Sequence, residues 1–115
     1  EELVHLAVRL AERHIELNPE DVRALYMGAA GLMEVGQSAK AMEWVGRALA
    51  LDPEDSAVLY NAGCVYTLGG RTDEALRLLD KAIDNGFGHR EWLENDSDLD
   101  ALRADPRFEA LLKKM

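Results

Sequence analysis

The chain has 115 residues, of which 48% are hydrophobic and 30% are charged, and its net charge is -9 at pH 7. This size and composition predict one folded domain and exclude a disordered tail. Lysine and arginine form no cluster longer than Lys113-Lys114, so nucleic acids and anionic membranes are not expected partners. The longest uncharged apolar run, residues 24–33, is also much shorter than the roughly 20 residues of a membrane-spanning helix.

Apolar residues recur at steps of three and four near the start of the chain, which predicts an amphipathic helix over residues 3–17. The apolar set is Leu3, Val4, Leu6, Ala7, Leu10, Ala11, Ile15 and Leu17. The helix is expected to end at Asn18-Pro19, because proline lacks an amide donor and disfavours helix at the preceding residue. This segment has the pattern of the second helix of a two-helix unit, so we expect the chain to be a fragment of a longer protein.

A proline-centred sequence occurs twice, 34 residues apart: Leu-Asn-Pro-Glu-Asp at residues 17–21 and Leu-Asp-Pro-Glu-Asp at residues 51–55. Each copy is followed by an apolar segment, a glycine-containing break and a second amphipathic segment. The predicted helices follow Asp21, Ser38, Asp55 or Ser56, and Thr72, whose polar side chains are placed to act as N-caps. Two helices recurring at this period indicate a helical repeat array.

Aligned at an offset of 34, the two units share a spaced set of small and bulky residues that resembles the tetratricopeptide repeat family. The first unit carries Leu25, Gly28, Ala29, Leu32, Ala41, Val45, Ala48 and Pro53. The second carries Leu59, Ala62, Gly63, Tyr66, Ala75, Leu79 and Ala82, with Phe87 in the proline place. The first 21 residues supply only the later half of the pattern, with Ala7, Ala11, His14 and Pro19.

The resemblance implies an all-α fold of antiparallel helix-turn-helix repeats in a right-handed α-solenoid. The expected organisation is one domain, with the second helix of a truncated repeat at residues 1–21, repeats at 22–55 and 56–89, and a capping tail at 90–115. Gly86-Phe87-Gly88 replaces the proline joint, and repetition is expected to stop there. The tail is expected to cover the helix that begins at Thr72, because the end of a solenoid needs a cap.

The tail also resembles the ends of tetratricopeptide arrays in large bacterial signalling proteins. The residues that carry this resemblance run from Gly86-Phe87 through Trp92-Leu93 and Asp105-Pro106 to Leu111-Leu112. It implies a bacterial origin and a multidomain parent. Cys64 is the sole cysteine, which excludes an internal disulfide and is compatible with a reducing compartment, so a cytoplasmic location is expected.

No residue pattern in the sequence predicts catalysis, a metal site or a cofactor. Residues 96–100 alternate acids as a calcium loop does, but Ala101 and Arg107 stand where that loop needs glycine and a bidentate glutamate. No cysteine or carboxylate is spaced to complete a metal-ligand set with the histidines, and no nucleophile, base and orienting group are spaced as a triad. The chain is therefore expected not to be an enzyme.

The resemblance assigns the concave surface to the first helix of each unit. It places nine candidate partner-binding residues there: Arg23, Tyr26, Met27, Ala30, Met33, Tyr60, Asn61, Cys64 and Thr67. Some of them could instead be packed between helices. Tyr26, Met27 and Tyr60 are expected to contribute most to binding, because tyrosine and methionine offer large, adaptable contact area. Tyr26 and Ala30 occupy the places of the Lys and Asn that hold a peptide carboxylate in some family members, so that carboxylate clamp is not expected.

The predicted function is therefore non-catalytic protein–protein interaction, with a peptide or helix bound in the concave groove. The partner is an unidentified protein or peptide, and the acidic surface favours a basic or neutral one. The alternative is a structural role, in which the first helix pairs with a second copy of the chain to form a homodimer. Leu3, Val4, Leu10 and Ile15 would then lie in the interface.

Overall fold

The computed structural model describes residues 2–115, and all regular structure in that range is helical. The helices are α1 (Glu2–Leu17), α2 (Val22–Glu34), α3 (Ser38–Leu51), α4 (Ser56–Leu68), α5 (Thr72–Asp84), α6 (Arg90–Asn95), a 3-10 helix (Ser97–Leu102) and α7 (Pro106–Lys114). Helices α2 and α3 pack as one pair and α4 and α5 as another, and neighbouring pairs stack in chain order. The prediction of an all-α helical repeat fold is confirmed.

Aspartates cap two of the four repeat helices, α2 and α4, as the sequence predicts. The Asp21 carboxylate accepts from the backbone N–H of Ala24 at 3.1 Å, and that of Asp55 accepts from Ala57 and Val58 at 2.8 and 3.2 Å. Ser38 and Thr72 are not N-caps, which corrects the prediction: each is the first helical residue, after Gln37 or Arg71 with no side-chain cap bond. Tight glycine turns at Gly36 and Gly70, with φ of +85° and +77°, lead into these two helices.

Two apolar clusters form the core, and they meet in the middle of the chain. The first joins α1, α2, α3 and one side of α4, around Leu25, Ala29, Trp44 and Val45. The second joins the other side of α4 to α5 and the C-terminal segments. Leu49 and Leu78 contact both clusters, so burial is continuous along the array rather than concentrated in one centre.

The C-terminal segment covers the array on two sides. Helix α7 packs on α5, as predicted, and Arg107 Nη1 lies 2.9 Å from Asp73 Oδ1 there. The 3-10 helix packs on α4 instead, which corrects the expectation that the whole tail lies on α5. Its Leu99 and Leu102 are fully buried.

The 34-residue period continues past Phe87, although the sequence pattern was expected to end there. Residues 90–102 are the span of α4 moved by 34, and α7 begins 34 residues after the start of α5. The equivalent of α4 is broken in two, because Asp96 adopts an extended backbone, with φ -72° and ψ 117°, and caps the 3-10 helix. The tail is therefore a third unit whose first helix bends inward over α4.

None of the helices within residues 2–115 has the length and apolarity needed to cross a membrane.

Candidate functional site

The candidate groove residues of α2 lie on or near the surface. Arg23, Met27 and Ala30 are exposed, while Tyr26 and Met33 are half-buried against the first apolar cluster. Arg23 Nε lies 3.4 Å from Met27 Sδ, one helical turn away. The exposed residues therefore remain available to a partner, as the sequence suggests for this helix.

The candidate groove residues of α4 are mostly covered by the chain itself. Tyr60, Cys64 and Thr67 are buried, and the Tyr60 side chain is only 2% exposed. Asn61 is half-buried, and its amide donates to the carbonyl of Ala57 at 2.8 Å. The assignment of Tyr60, Cys64 and Thr67 to an open partner-binding surface is corrected, because the inward bend of the third unit occupies that position.

Tyr60 anchors the segment that covers it. Its ring stacks on Phe87 with centroids 4.4 Å apart, and Trp92 packs against both rings at 5.8 Å. The Tyr60 hydroxyl donates to Asp96 Oδ2 at 2.7 Å, and the Cys64 thiol lies 3.8 Å from the same oxygen. Sequence reasoning missed this role because a tyrosine on a predicted concave face is read as a ligand contact unless the fold of the tail is known.

Burial changes the acid–base chemistry of both covered residues. Desolvation, followed by the Asp96 hydrogen bond, raises the pKa of the Tyr60 hydroxyl, and desolvation followed by the Asp96 charge raises the pKa of the Cys64 thiol. A thiol held protonated is a poor nucleophile and a poor metal ligand. Cys64 is therefore a structural residue under the third unit.

One group of potential metal ligands occurs within residues 2–115, formed by Cys64, Asp96 and Asp98, whose ligand atoms lie within 4.8 Å of one another. The Asp96 carboxylate already accepts from the Tyr60 hydroxyl and, at 3.0 Å, from the backbone N–H of Asp98. These hydrogen bonds account for the position of Asp96 without a metal. Asp96 thus starts the 3-10 helix.

An open depression remains beside the covered part of the groove. We call it the acidic depression; it measures about 390 Å³ and is lined by Ala30, Met33, Glu34, Leu68 and Asp98. Burial and the nearby charges of Asp96, Glu34 and Asp100, in that order, raise the pKa of Asp98. Burial is the largest cause of this shift, and the neighbouring acids add to it because no cation within residues 2–115 offsets their charge. The site therefore combines an apolar floor with two carboxylates that attract cations.

A second depression lies between α1 and α2. We call it the helix slot; it measures about 260 Å³ and is lined by Ala7, Val8, Ala11, His14, Ala24, Met27, Gly28 and Gly31. Met27 faces this slot rather than the acidic depression, so the predicted groove residues of α2 are divided between two surfaces. The small residues on α1 and α2 are the feature of the sequence that indicates this slot, because they let the two helix backbones approach closely.

His14 is the one titratable side chain among the lining residues of the slot. Its Nε2 lies 2.7 Å from Asp21 Oδ2, and this hydrogen bond, with the capping bond from Ala24, lowers the pKa of Asp21. His14 stands where both complete units have alanine, at Ala48 and Ala82. The imidazole therefore ties α1 to the start of α2 at the rim of the slot.

Comparisons with known proteins place the chain among helical repeat proteins. Residues 27–115 match the family model described as "A/B hydrolase-like, N-terminal domain". The chain is 32% identical over 63 residues to a chloroplast protein of Arabidopsis thaliana, a match that covers 54% of this chain and 19% of that protein. The crystal structure of MamA, a TPR-like protein, superposes with a TM-score of 0.67 at 17% identity, covering 93% of this chain and 63% of MamA.

The likeness to MamA supports a TPR-like helical solenoid and, at that identity, shows the fold alone. The matching family model is not a tetratricopeptide model, so the resemblance found in the sequence holds for the repeat architecture rather than for family membership. The chain spans less than two thirds of the length of each of these two proteins.

Proposed function

Because the chain belongs to the A/B hydrolase-like N-terminal domain family, we propose that it is the non-catalytic, protein-binding part of a larger protein. The TPR-like solenoid supports a role as an interaction scaffold. Non-catalytic character is part of the proposal; it is supported by the protonated Cys64 thiol and the internally bonded Asp96. A bacterial multidomain parent and a cytoplasmic location belong to the same proposal and rest on the tail resemblance and the sole cysteine.

The acidic depression is the proposed contact point for a peptide. Its floor of Ala30, Met33 and Leu68 can accept an apolar side chain, while Glu34 and Asp98 attract a neighbouring lysine or arginine. The single observation that carries this proposal is the grouping of the Glu34 and Asp98 carboxylates with apolar side chains around one open depression. Met33 replaces the buried Tyr60 as the expected main contact. Arg23, Tyr26 and Asn61 stay predicted contacts outside the depression.

We expect the protein to bind peptides with an apolar residue next to lysine more tightly than the same peptides with glutamate in place of the lysine. Glu34→Lys should weaken that binding by about tenfold, because the attraction becomes repulsion. Glu43→Lys is the matched control, since it makes the same change in net charge at an exposed position of α3 outside the depression. A synthetic peptide array followed by fluorescence anisotropy measures the effect.

Equal losses for Glu34→Lys and Glu43→Lys would show that only net charge matters and would contradict binding at the acidic depression. An array in which lysine and glutamate peptides bind alike would contradict the proposed basic partner.

The alternative, homodimerisation through α1, is favoured by a specific observation. Leu3 is 80% exposed and Leu10 is 60% exposed, which is unusual for large apolar side chains on one helix, and Leu6 and Leu17 are exposed as well. Ile15 is 5% exposed and packs in the first apolar cluster, so its expected place in the dimer interface is corrected. Val4 is half-buried. We propose self-association through α1 as the second candidate function; light scattering that shows only monomer at every concentration would contradict it.

A further inference from the structure

We propose that the acidic depression holds one lysine side chain of the partner, with the alkyl chain on the apolar floor and the ammonium group between the carboxylates of Glu34 and Asp98. This inference rests on the proposed function and specifies the side chain that fills the site. The proposed function requires an apolar group and a nearby cation, and a lysine supplies both in a single residue.

Two helices of the array end at the acidic depression. Glu34 is the last residue of α2 and Leu68 is the last residue of α4, and both line the depression. The C-terminal end of a helix carries a partial negative charge, which a nearby cation stabilises. The last turns of α5 and α7 contain lysine, but those of α2 and α4 contain no basic residue. Arg71, just after α4, is paired with Glu74. A cation of the partner would therefore supply the charge that these two helix ends lack.

Each of these helices also ends in a carbonyl without a backbone partner. The turn that follows each helix donates to the three preceding carbonyls, whereas those of Glu34 and Leu68 accept from no backbone N–H within residues 2–115. The acceptors around the depression thus belong to three separate segments, because Asp98 comes from the 3-10 helix. An ammonium group donates in three directions, while a planar guanidinium is suited to a single carboxylate that it binds with two parallel hydrogen bonds. Acceptors on separate segments therefore favour lysine over arginine.

The two carboxylates of the depression have no cation paired with them. No salt bridge within residues 2–115 involves Glu34 or Asp98. After burial and the charge of Asp96, the charge of Glu34 contributes to the raised pKa of Asp98, so the two carboxylates that line the depression repel each other. An ammonium group between them replaces this repulsion with two attractions.

The apolar floor suits the alkyl chain of a lysine. Leu68 is 46% exposed although it is a large apolar residue, Met33 is half-buried and Ala30 is exposed. A lysine side chain covers such a surface with its methylene groups while its charged end reaches a polar group. Binding would therefore remove apolar area of Leu68 and Met33 from water and keep the ammonium group beside the carboxylates.

Replacement of the lysine in the array peptides tests this assignment. In the lysine peptide that binds most tightly, norleucine or Nε-acetyllysine should weaken binding at least about tenfold, because each keeps the alkyl chain and removes the charge. Arginine keeps the charge and should weaken binding by about threefold. Fluorescence anisotropy with each peptide measures the dissociation constants.

Glu34→Gln tests whether the lysine binds at the acidic depression. It should weaken binding of the lysine peptide by about fivefold and leave that of the norleucine peptide unchanged, because only the first carries a charge for Glu34 to attract. Glu43→Gln is the matched control: it removes the same charge from an exposed position of α3 outside the depression and should affect neither peptide. Circular dichroism confirms that both variants are folded.

The outcomes separate this inference from the proposed function. An arginine peptide or a norleucine peptide that binds as tightly as the lysine peptide overturns the lysine assignment, while a protein-binding role stands. Equal losses for the lysine and norleucine peptides with Glu34→Gln overturn the position of the ammonium group. An array on which no peptide binds overturns the proposed function, and this inference with it.

Discussion

Gly28→Ala should lower the free energy of unfolding by about 2 kcal/mol, because a single added methyl group meets a side chain that cannot move away. A Cβ atom built on Gly28 would lie 2.9 Å from Cε3 of Trp44 and closer still to Cζ3. Trp44 is 3% exposed and packed in the first apolar cluster, so relief requires displacement of α2 from α3. Urea unfolding followed by circular dichroism measures the loss.

Gly46→Ala is the matched control and should have the opposite sign. Gly46 lies inside α3, and nothing is found within 4 Å of the position where its Cβ would be. The substitution removes only the conformational cost of a helical glycine, so stability should rise by about 0.5–1 kcal/mol. If Gly28→Ala proves as stabilising as Gly46→Ala, then the contact with Trp44 does not limit packing of the first unit.

Phe87→Ala should destabilise the protein by about 3–5 kcal/mol and release the third unit from α4. Phe87 is buried, and its ring provides the stacking surface for Tyr60. Loss of the ring removes the support that places Asp96 over Tyr60 and Cys64. The Cys64 thiol should then become exposed, its pKa should fall back towards that of an ordinary thiol, and it should react with a thiol reagent that the wild-type protein resists.

Trp92→Ala is the control for the aromatic cluster. Trp92 is 47% exposed, so its truncation should cost less than that of the buried Phe87 and should leave Cys64 protected. Retention of helical circular dichroism by Phe87→Ala distinguishes local opening from global unfolding. Wild-type thiol reactivity in a folded Phe87→Ala protein would show that the third unit is held without the Tyr60–Phe87 stack.

The fold was predictable because its signals are local. Pro19 and Pro53 lie 34 residues apart and mark the joints between units. Gly36 and Gly70 adopt a positive φ just after the first helix of each unit. Leu25, Ala29 and Leu32 repeat as Leu59, Gly63 and Tyr66, and the spacing alone predicts that this face of each helix is turned inward; only Tyr66 stays half-buried. These features specify which faces meet without knowledge of the rest of the molecule.

The site was less predictable because it depends on how distant segments meet. Tyrosine is a typical partner-contact residue. Tyr60 is buried because the helix of the third unit breaks at Asp96, whose carboxylate accepts from the Tyr60 hydroxyl. The acidic residues around Asp98 are typical of the start of a helix. Asp98 lies beside Met33 and Glu34 because the third unit bends inward over α4. Sequence spacing carries no information on that bend.

The continued period of the tail also bears on how the chain reaches its native state. Side-chain hydrogen bonds between units join residues 28 to 36 positions apart, from Lys40 and Glu12 to Tyr60 and Asp96. No loop much longer than one unit has to close before these contacts form, so the entropic barrier to each step stays small. Order can spread from any unit to its neighbour, as in a linear chain of coupled segments. The topology therefore favours rapid, sequential folding.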